Sequence, residues 1–196
     1  MKPTLVIACG ALAREIVHLK QAYGWDHMEL KCLDARLHNA PHRIADKLRD
    51  ALEEAGDRYA RILIGYADCG TAGDIDRLAR AYHAERLPGA HCYEIFAGSS
   101  AFLDLAEQHP GTFYLTDFLA RYFRRLVIEP LGLVQHPQLR DAYFGNYDRL
   151  VYLAQTNDAR LRSQAEGAAQ FLGLEFHQRF TGYGQLKSEL VRIASP

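Results

Sequence analysis

Apolar residues follow two alternating rhythms along this chain: short compact runs, and longer stretches in which apolar positions recur every three or four residues. A compact run bounded by turn residues reads as a buried strand, and the second spacing as a helix with one inward face. Residues 5–8 form a first strand, 11–23 a helix with Leu12, Ile16 and Leu19 on one side, and 29–33 a second strand. A helix follows over 42–55, where Ile44, Leu48 and Leu52 align and Gly56 ends the pattern. A third strand covers 61–66, a helix 74–84, a strand or extended segment 90–96, and a short helix 99–108. The remainder predicts a short strand at 113–115, a helix from 117 to about 126, and a strand at 149–155. A helix over 159–172, a strand over 174–180 and a helix over 185–193 complete the chain.

Strands separated by helical stretches of roughly 10–15 residues are the signature of βαβ units. The expectation is therefore an α/β fold, a mostly parallel Rossmann-like sheet with helices on both faces. It is built as a single domain over 1–196, with an irregular crossing or lid at 130–146, where the periodicity lapses.

Composition narrows the function classes. With 48% hydrophobic residues the chain has ample core, so its four cysteines are not needed as a staple. A net charge of -1, from 23 basic and 24 acidic side chains, argues against a nucleic-acid partner. The local run Arg121, Arg124 and Arg125 reads as a solvated helix face. Residues 4–8 are too short for a secretory signal and no stretch approaches a membrane span, so a soluble, cytoplasmic protein is expected.

In a reducing compartment the cysteines stay thiols, and thiols near one another become ligands or nucleophiles. Cys9 ends the first strand, Cys69 follows the third, and Cys92 lies in the fourth extended segment. The carboxyl ends of parallel strands share one sheet edge, so these three are expected at a common rim. Cys9-Gly10 and Cys69-Gly70 are matched strand-to-helix turns, where a helix N-terminus favours thiolate over thiol. Gly10, Gly70 and Gly73 would let the backbone approach a bound cofactor closely.

Thiolates with imidazole suit Zn2+, and three thiolates suit a [4Fe–4S] cluster with one open iron. The expected ligands are Cys9, Cys69 and Cys92, with His91 or His38 nearby; Asp68 and Glu94 are the candidate bases. On a regular strand His91 and Cys92 would face opposite ways, which favours Cys92. The competing reading for each cysteine is a small buried hydrophobe, and Cys32, inside the second strand, reads that way. Two functional alternatives remain open: a metal-free enzyme with a helix-activated cysteine nucleophile, and a non-enzymatic metal or cluster carrier. The chain lacks a GxxxxGK[ST] loop, a GxGxxG turn opening a helix and a nucleophile elbow.

Several segments carry a resemblance: Cys9 to Glu15, Leu37-His38-Asn39, Gly65 to Gly73, His91-Cys92-Tyr93-Glu94, Phe113 to Phe118, and Tyr143-Phe144-Gly145-Asn146-Tyr147. Together they resemble domain-of-unknown-function family 1638 over nearly the whole chain. Ala67 departs from the pattern, which has glycine there. The resemblance implies an association with corrinoid-dependent methyltransferase systems. On that basis the expected partner is a small-molecule or corrinoid-related substrate, and the expected role is support of thiol or methyl-group transfer.

Overall fold

The computed structural model describes residues 2–195. Its strands and helices alternate as β1 (Thr4–Cys9), α1 (Ala13–Tyr23), β2 (Met28–Leu33), α2 (Ile44–Ala55), β3 (Arg61–Gly65), α3 (Asp74–Ala81), β4 (Glu85–Arg86) and α4 (Cys92–Ala97). Next come α5 (Ser99–Gln108), β5 (Thr112–Thr116), α6 (Asp117–Arg121), α7 (Leu139–Phe144), β6 (Arg149–Ala154), α8 (Ala159–Leu172), β7 (Glu175–Phe180) and α9 (Gly184–Ala194). All strand pairs are parallel, and they form two sheets, one in each of two compact units. The first unit runs to Ile95 and resumes at Tyr183; the second is Phe96–Gly182. An α/β fold with parallel strands and flanking helices is what the apolar pattern predicts, but the one sheet expected is two.

In the first unit the strand order is β2-β1-β3-β4. β1 is buried along its whole length because it has a strand on either side and is covered on both faces. Leu5, Ile7 and Cys9 point to one face with Ile64 and Tyr66, where Ile44, Leu48 and Leu52 of α2 and Ile75 and Leu78 of α3 pack on them. Each fully buried aliphatic side chain there contributes about 1.5–3 kcal/mol. At Gly65 a Cβ would come within 2.6 Å of the Ala8 Cβ, so glycine is what lets β1 and β3 close together at their carboxyl ends.

Three local expectations are corrected. Residues 90–96 are not a strand: the sequence turns at Gly89 and enters α4, so the alternating-face argument for His91 and Cys92 does not apply. The fourth strand is instead the two-residue Glu85–Arg86, beside Leu63 and Ile64. Cys32 is exposed rather than in the core, because β2 is an edge strand and Cys32 opposes Ala8, on the face away from Leu33 and Cys9.

The second unit has the order β5-β6-β7. Leu115, Leu150, Tyr152 and Ala154 face Leu161, Ala165, Ala168 and Leu172 of α8. The stretch 130–146 contains α7, and Leu131, Leu133, Leu139 and Phe144 join this core. Phe113 meets Phe144 edge-on at 5.4 Å and Tyr147 at 5.8 Å, so Phe144 and Tyr147 serve packing, while Tyr143 is exposed. The Arg121–Arg125 run is a solvated face, with Arg124 paired to Glu129 and Arg125 over the Tyr122 ring. Among the described residues no helix is long and apolar enough to cross a membrane.

Candidate functional site

The order β2-β1-β3-β4 places a topological switch point between β1 and β3, because the chain leaves β1 toward β2 on one side and later adds β3 on the other. In open parallel sheets the crevice outside such a point is where ligands bind. Cys9 is the last residue of β1, and the pairing Ala8↔Gly65 brings Tyr66 alongside it on the face covered by α2 and α3.

The loop from β3 to α3 is held by Asp68. Its Oδ1 accepts hydrogen bonds from Gly73 N–H at 2.8 Å and from the Thr71 hydroxyl at 3.2 Å. Cys69 and Ala72 both take φ 51, a region that non-glycine residues enter only when the surroundings impose it. Cys69 N–H donates to Ala90 O at 2.7 Å and Asp68 N–H to Gly89 O at 3.1 Å, which ties this loop to the turn before α4. The Arg86 guanidinium pins the same turn, donating to Leu87 O and Gly89 O while pairing with Asp76 of α3. Glu94 Oε2 then reaches back to accept from Ala90 N–H at 2.7 Å. Cys92, the first residue of α4, is thereby brought to Cys69. A Cβ at Gly89, where φ is 88, would lie 2.6 Å from the Glu94 carboxyl carbon. Gly89→Ala is expected to loosen the contact between the two loops, destabilising the first unit by about 1–3 kcal/mol. Faster hydrogen exchange at the Cys69 amide would register it.

Burial dominates the electrostatics of the three thiols. Burial pushes the Cys9 thiol up to about 11, against the lowering effect of the Ala11 N–H, which donates to its Sγ at 3.3 Å. Cys69 is pushed up to about 12, first by burial and then by the neighbouring Cys9. Cys92 is raised by burial, then by Cys69 and Cys9. Tyr66 is 1% exposed. Its hydroxyl lies beside Cys9, yet no partner meets hydrogen-bond geometry, and burial and the nearby thiols raise its pKa. His38, on the 3-10 turn Ala35–Asn39, places Nδ1 at 3.6 Å from Cys9 Sγ and 3.2 Å from Ala35 O. Burial lowers its pKa, so the imidazole is neutral at pH 7, and its ring stacks on Tyr66 at 6.1 Å.

Cys69 and Cys92 thus lie within electrostatic reach of Cys9, which has His38 and Tyr66 beside it; Cys32, exposed on the opposite face, also acts on Cys9 across the sheet. His91 stands just before α4 with its ring against Tyr93, and burial lowers its pKa. Among the described residues no set of three His, Cys, Asp or Glu side chains lies at metal-holding distance. Asp68 and Glu94 hold the loops together through the bonds described above. Gly10 packs against β2, where a Cβ would meet Leu33 O at 3.0 Å. Gly70 sits beside Pro41 and Gly73 gives its N–H to Asp68. Beyond β2 a cleft of about 470 Å³ opens between the His38 turn and α2, lined by Leu33, Leu37, Arg36, Arg43 and Lys47.

A family model for a protein of unknown function (DUF1638) matches residues 32–190. The chain belongs to this family. The matched span includes His38, Cys69 and Cys92 and begins after Cys9. No curated protein and no solved structure matches the chain.

Tyr66 and Arg86 are the site residues that sequence reading did not single out. For Tyr66 a signal was present: Ile62, Ile64 and Tyr66 alternate onto one face, as Leu5, Ile7 and Cys9 do. Arg86 gave none, because its partners come from a turn and a helix whose approach is a tertiary event.

The raised thiols set a pH dependence. The folded-state pKa of Cys9 lies above its unfolded value, so the protonated thiol favours folding below about pH 8.5. That contribution is lost as pH rises from there toward about 11. Urea midpoints of the metal-free protein are expected to fall steeply above pH 9, and iodoacetamide labelling of Cys9 to stay slow at pH 8.

Proposed function

We propose that Cys9, Cys69 and Cys92, which do not stand at metal-holding distance in this structure, close on one metal centre at the switch-point crevice, with His38 beside Cys9. Zinc is the first choice and a [4Fe–4S] cluster the alternative. Thiolates suit both, and a centre with three thiolates keeps one position open for a substrate. That position would act as a Lewis acid on a thiol, a water or a methyl-bearing small molecule, a corrinoid-related one included.

The observation that carries this reading is the tie between the stretches bearing Cys69 and Cys92, through the Cys69 N–H on Ala90 O at 2.7 Å, on the side of the sheet where Cys9 ends β1. Beside Cys9 lies the buried Tyr66 hydroxyl, which lacks a geometric partner. Buried polar groups are normally satisfied, and one left open at a candidate site is explained by a bound group it would meet. A divalent cation would also supply the positive charge that turns desolvated thiols into thiolates. A metal-free nucleophile fits less well, since burial holds Cys9 at about 11 and the His38 Nδ1 facing it donates its proton to Ala35 O, which leaves no free acceptor there for the thiol proton.

Anaerobic purification followed by metal analysis and an absorption spectrum tests the proposal. About one equivalent of zinc with no visible band supports the first choice, and a broad brown absorption the cluster. Cys69→Ser should lose most of either. Failure of the folded wild type to retain metal, to bind added zinc and to accept a reconstituted cluster would sink the reading. In that metal-free protein, iodoacetamide labelling with a depressed pKa at Cys9 or Cys69, rather than at the exposed Cys32, would point to the nucleophile instead.

A further inference from the structure

We propose that β7 pairs antiparallel with β7 of a second copy, joining two three-stranded sheets across a two-fold axis at His177. β7 is bonded to β6 on one side only among the described residues. Glu175 N–H donates to Asp148 O and Thr181 N–H to Ala154 O, so odd-numbered residues turn their backbone groups toward β6. The N–H and C=O groups of Phe176, Gln178 and Phe180 therefore point outward along an open edge. That edge carries no proline and no glycine across Glu175–Phe180, two of the usual guards against strand addition.

Its charged residues select the partner. Glu175 and Arg179 flank His177 symmetrically and lie on the same face of the strand. In a two-fold antiparallel pair centred on His177, residues whose numbers sum to 354 face each other. Glu175 then stands opposite Arg179 of the second copy, twice over by symmetry. Among the described residues Arg179 forms no ion pair, and the neighbour of Glu175 is His177 at 3.0 Å. Charges that would repel a same-sign edge thus become complementary in this register.

Backbone and apolar matching agree with that choice. The outward-facing Phe176 and Gln178 fall opposite each other in both halves, which supplies two reciprocal hydrogen-bonded pairs. Phe180, 57% exposed, falls opposite the half-buried Leu174 of the second copy. Moving the axis to Gln178 keeps the backbone parity but sets Arg179 against His177 and Glu175 against Thr181, losing both ion pairs. A two-fold contact of this kind closes on itself and makes a dimer rather than a fibre.

Sedimentation velocity of the full chain, together with charge reversal, tests the pairing. The wild type is expected to dimerise. Arg179→Glu and Glu175→Arg, each of which puts like charges opposite, should weaken association about tenfold or more. The double variant Glu175→Arg/Arg179→Glu should recover it. His177→Cys should form an intermolecular disulfide under mild oxidation, mapped to position 177 by peptide analysis, because directly opposed non-hydrogen-bonded residues lie closest. A wild type that remains monomeric at roughly 100-fold the usual assay concentration overturns the proposal. So does a dimer that ignores both reversals and yields no crosslink at 177, which would place the interface elsewhere.

Discussion

Serine in place of Cys9 is expected to weaken zinc binding by at least about a hundredfold, while serine in place of Cys32 leaves it unchanged. Even partners that merely orient a metal ligand are worth about 10–100-fold, and removing a thiolate deletes the bond itself. The two sites are one strand apart, yet Cys9 faces the crevice beside Tyr66 and Cys32 lies exposed on the other face of the sheet. The comparison therefore separates a specific centre from adventitious thiol binding. Tyr66→Phe supplies a third measurement. Removing a buried hydroxyl without a geometric partner should leave the metal-free protein as stable or more so, by up to about 1 kcal/mol. The same change should reduce the affinity of the loaded protein for a small exogenous thiol. Competition with a chromophoric chelator reads the metal affinities, and urea unfolding of the metal-free forms reads the stabilities. Equal losses at Cys9 and Cys32 would mean that the crevice is not the binding site.

That Cys9 and the Cys69 loop lie at one end of the sheet was legible because it needs only one inference, that β1 and β3 run parallel and end on one side. Cys92, by contrast, comes from the start of α4 and not from a strand. α8 was legible at both ends for a local reason. Asp158 caps its start through the Arg160 and Leu161 N–H groups, and Gly173 ends it at φ 75. Residues 90–96 misled because His91, Tyr93, Ile95 and Phe96 suit a strand, whereas long-range bonds set their conformation. Ala90 is held from both sides, by Cys69 N–H on its carbonyl and by the Glu94 carboxylate on its N–H, and helix α4 starts from that anchor. β4 has two residues and no apolar alternation to announce it. The exposure of Cys32 depends on β2 lying at an edge, and strand order is a property of the whole sheet. The division into two sheets was hidden for the same reason, since β5 and β6 look locally like β1 and β3.

Alanine in place of Asp117 is expected to destabilise the second unit by about 3 kcal/mol. Asp117 follows β5 directly and is 2% exposed. Its carboxylate accepts from the Tyr152 hydroxyl at 2.6 Å, the Gln155 N–H at 3.0 Å and the Thr156 hydroxyl at 2.6 Å. Gln155 answers by accepting the Asp117 N–H at 2.7 Å and donating to Leu153 O, so the network links the ends of β5 and β6. Three donors converge on this one carboxyl group, and hydrogen bonds in a buried, low-dielectric network reinforce one another. Alanine would strand a tyrosine hydroxyl and a backbone N–H in the interior, at roughly 1–3 kcal/mol each. Asparagine keeps an acceptor for both and can donate to the Thr156 hydroxyl, so its expected cost is smaller, about 1 kcal/mol. Because the chain has two compact units, a single melting curve would mix their responses. Hydrogen exchange at β5, β6 and β7 amides isolates the second unit, where Asp117→Ala should speed the slowest amides by about two orders of magnitude. An alanine variant whose slowest amides exchange at the wild-type rate would show that the network is solvated and dispensable.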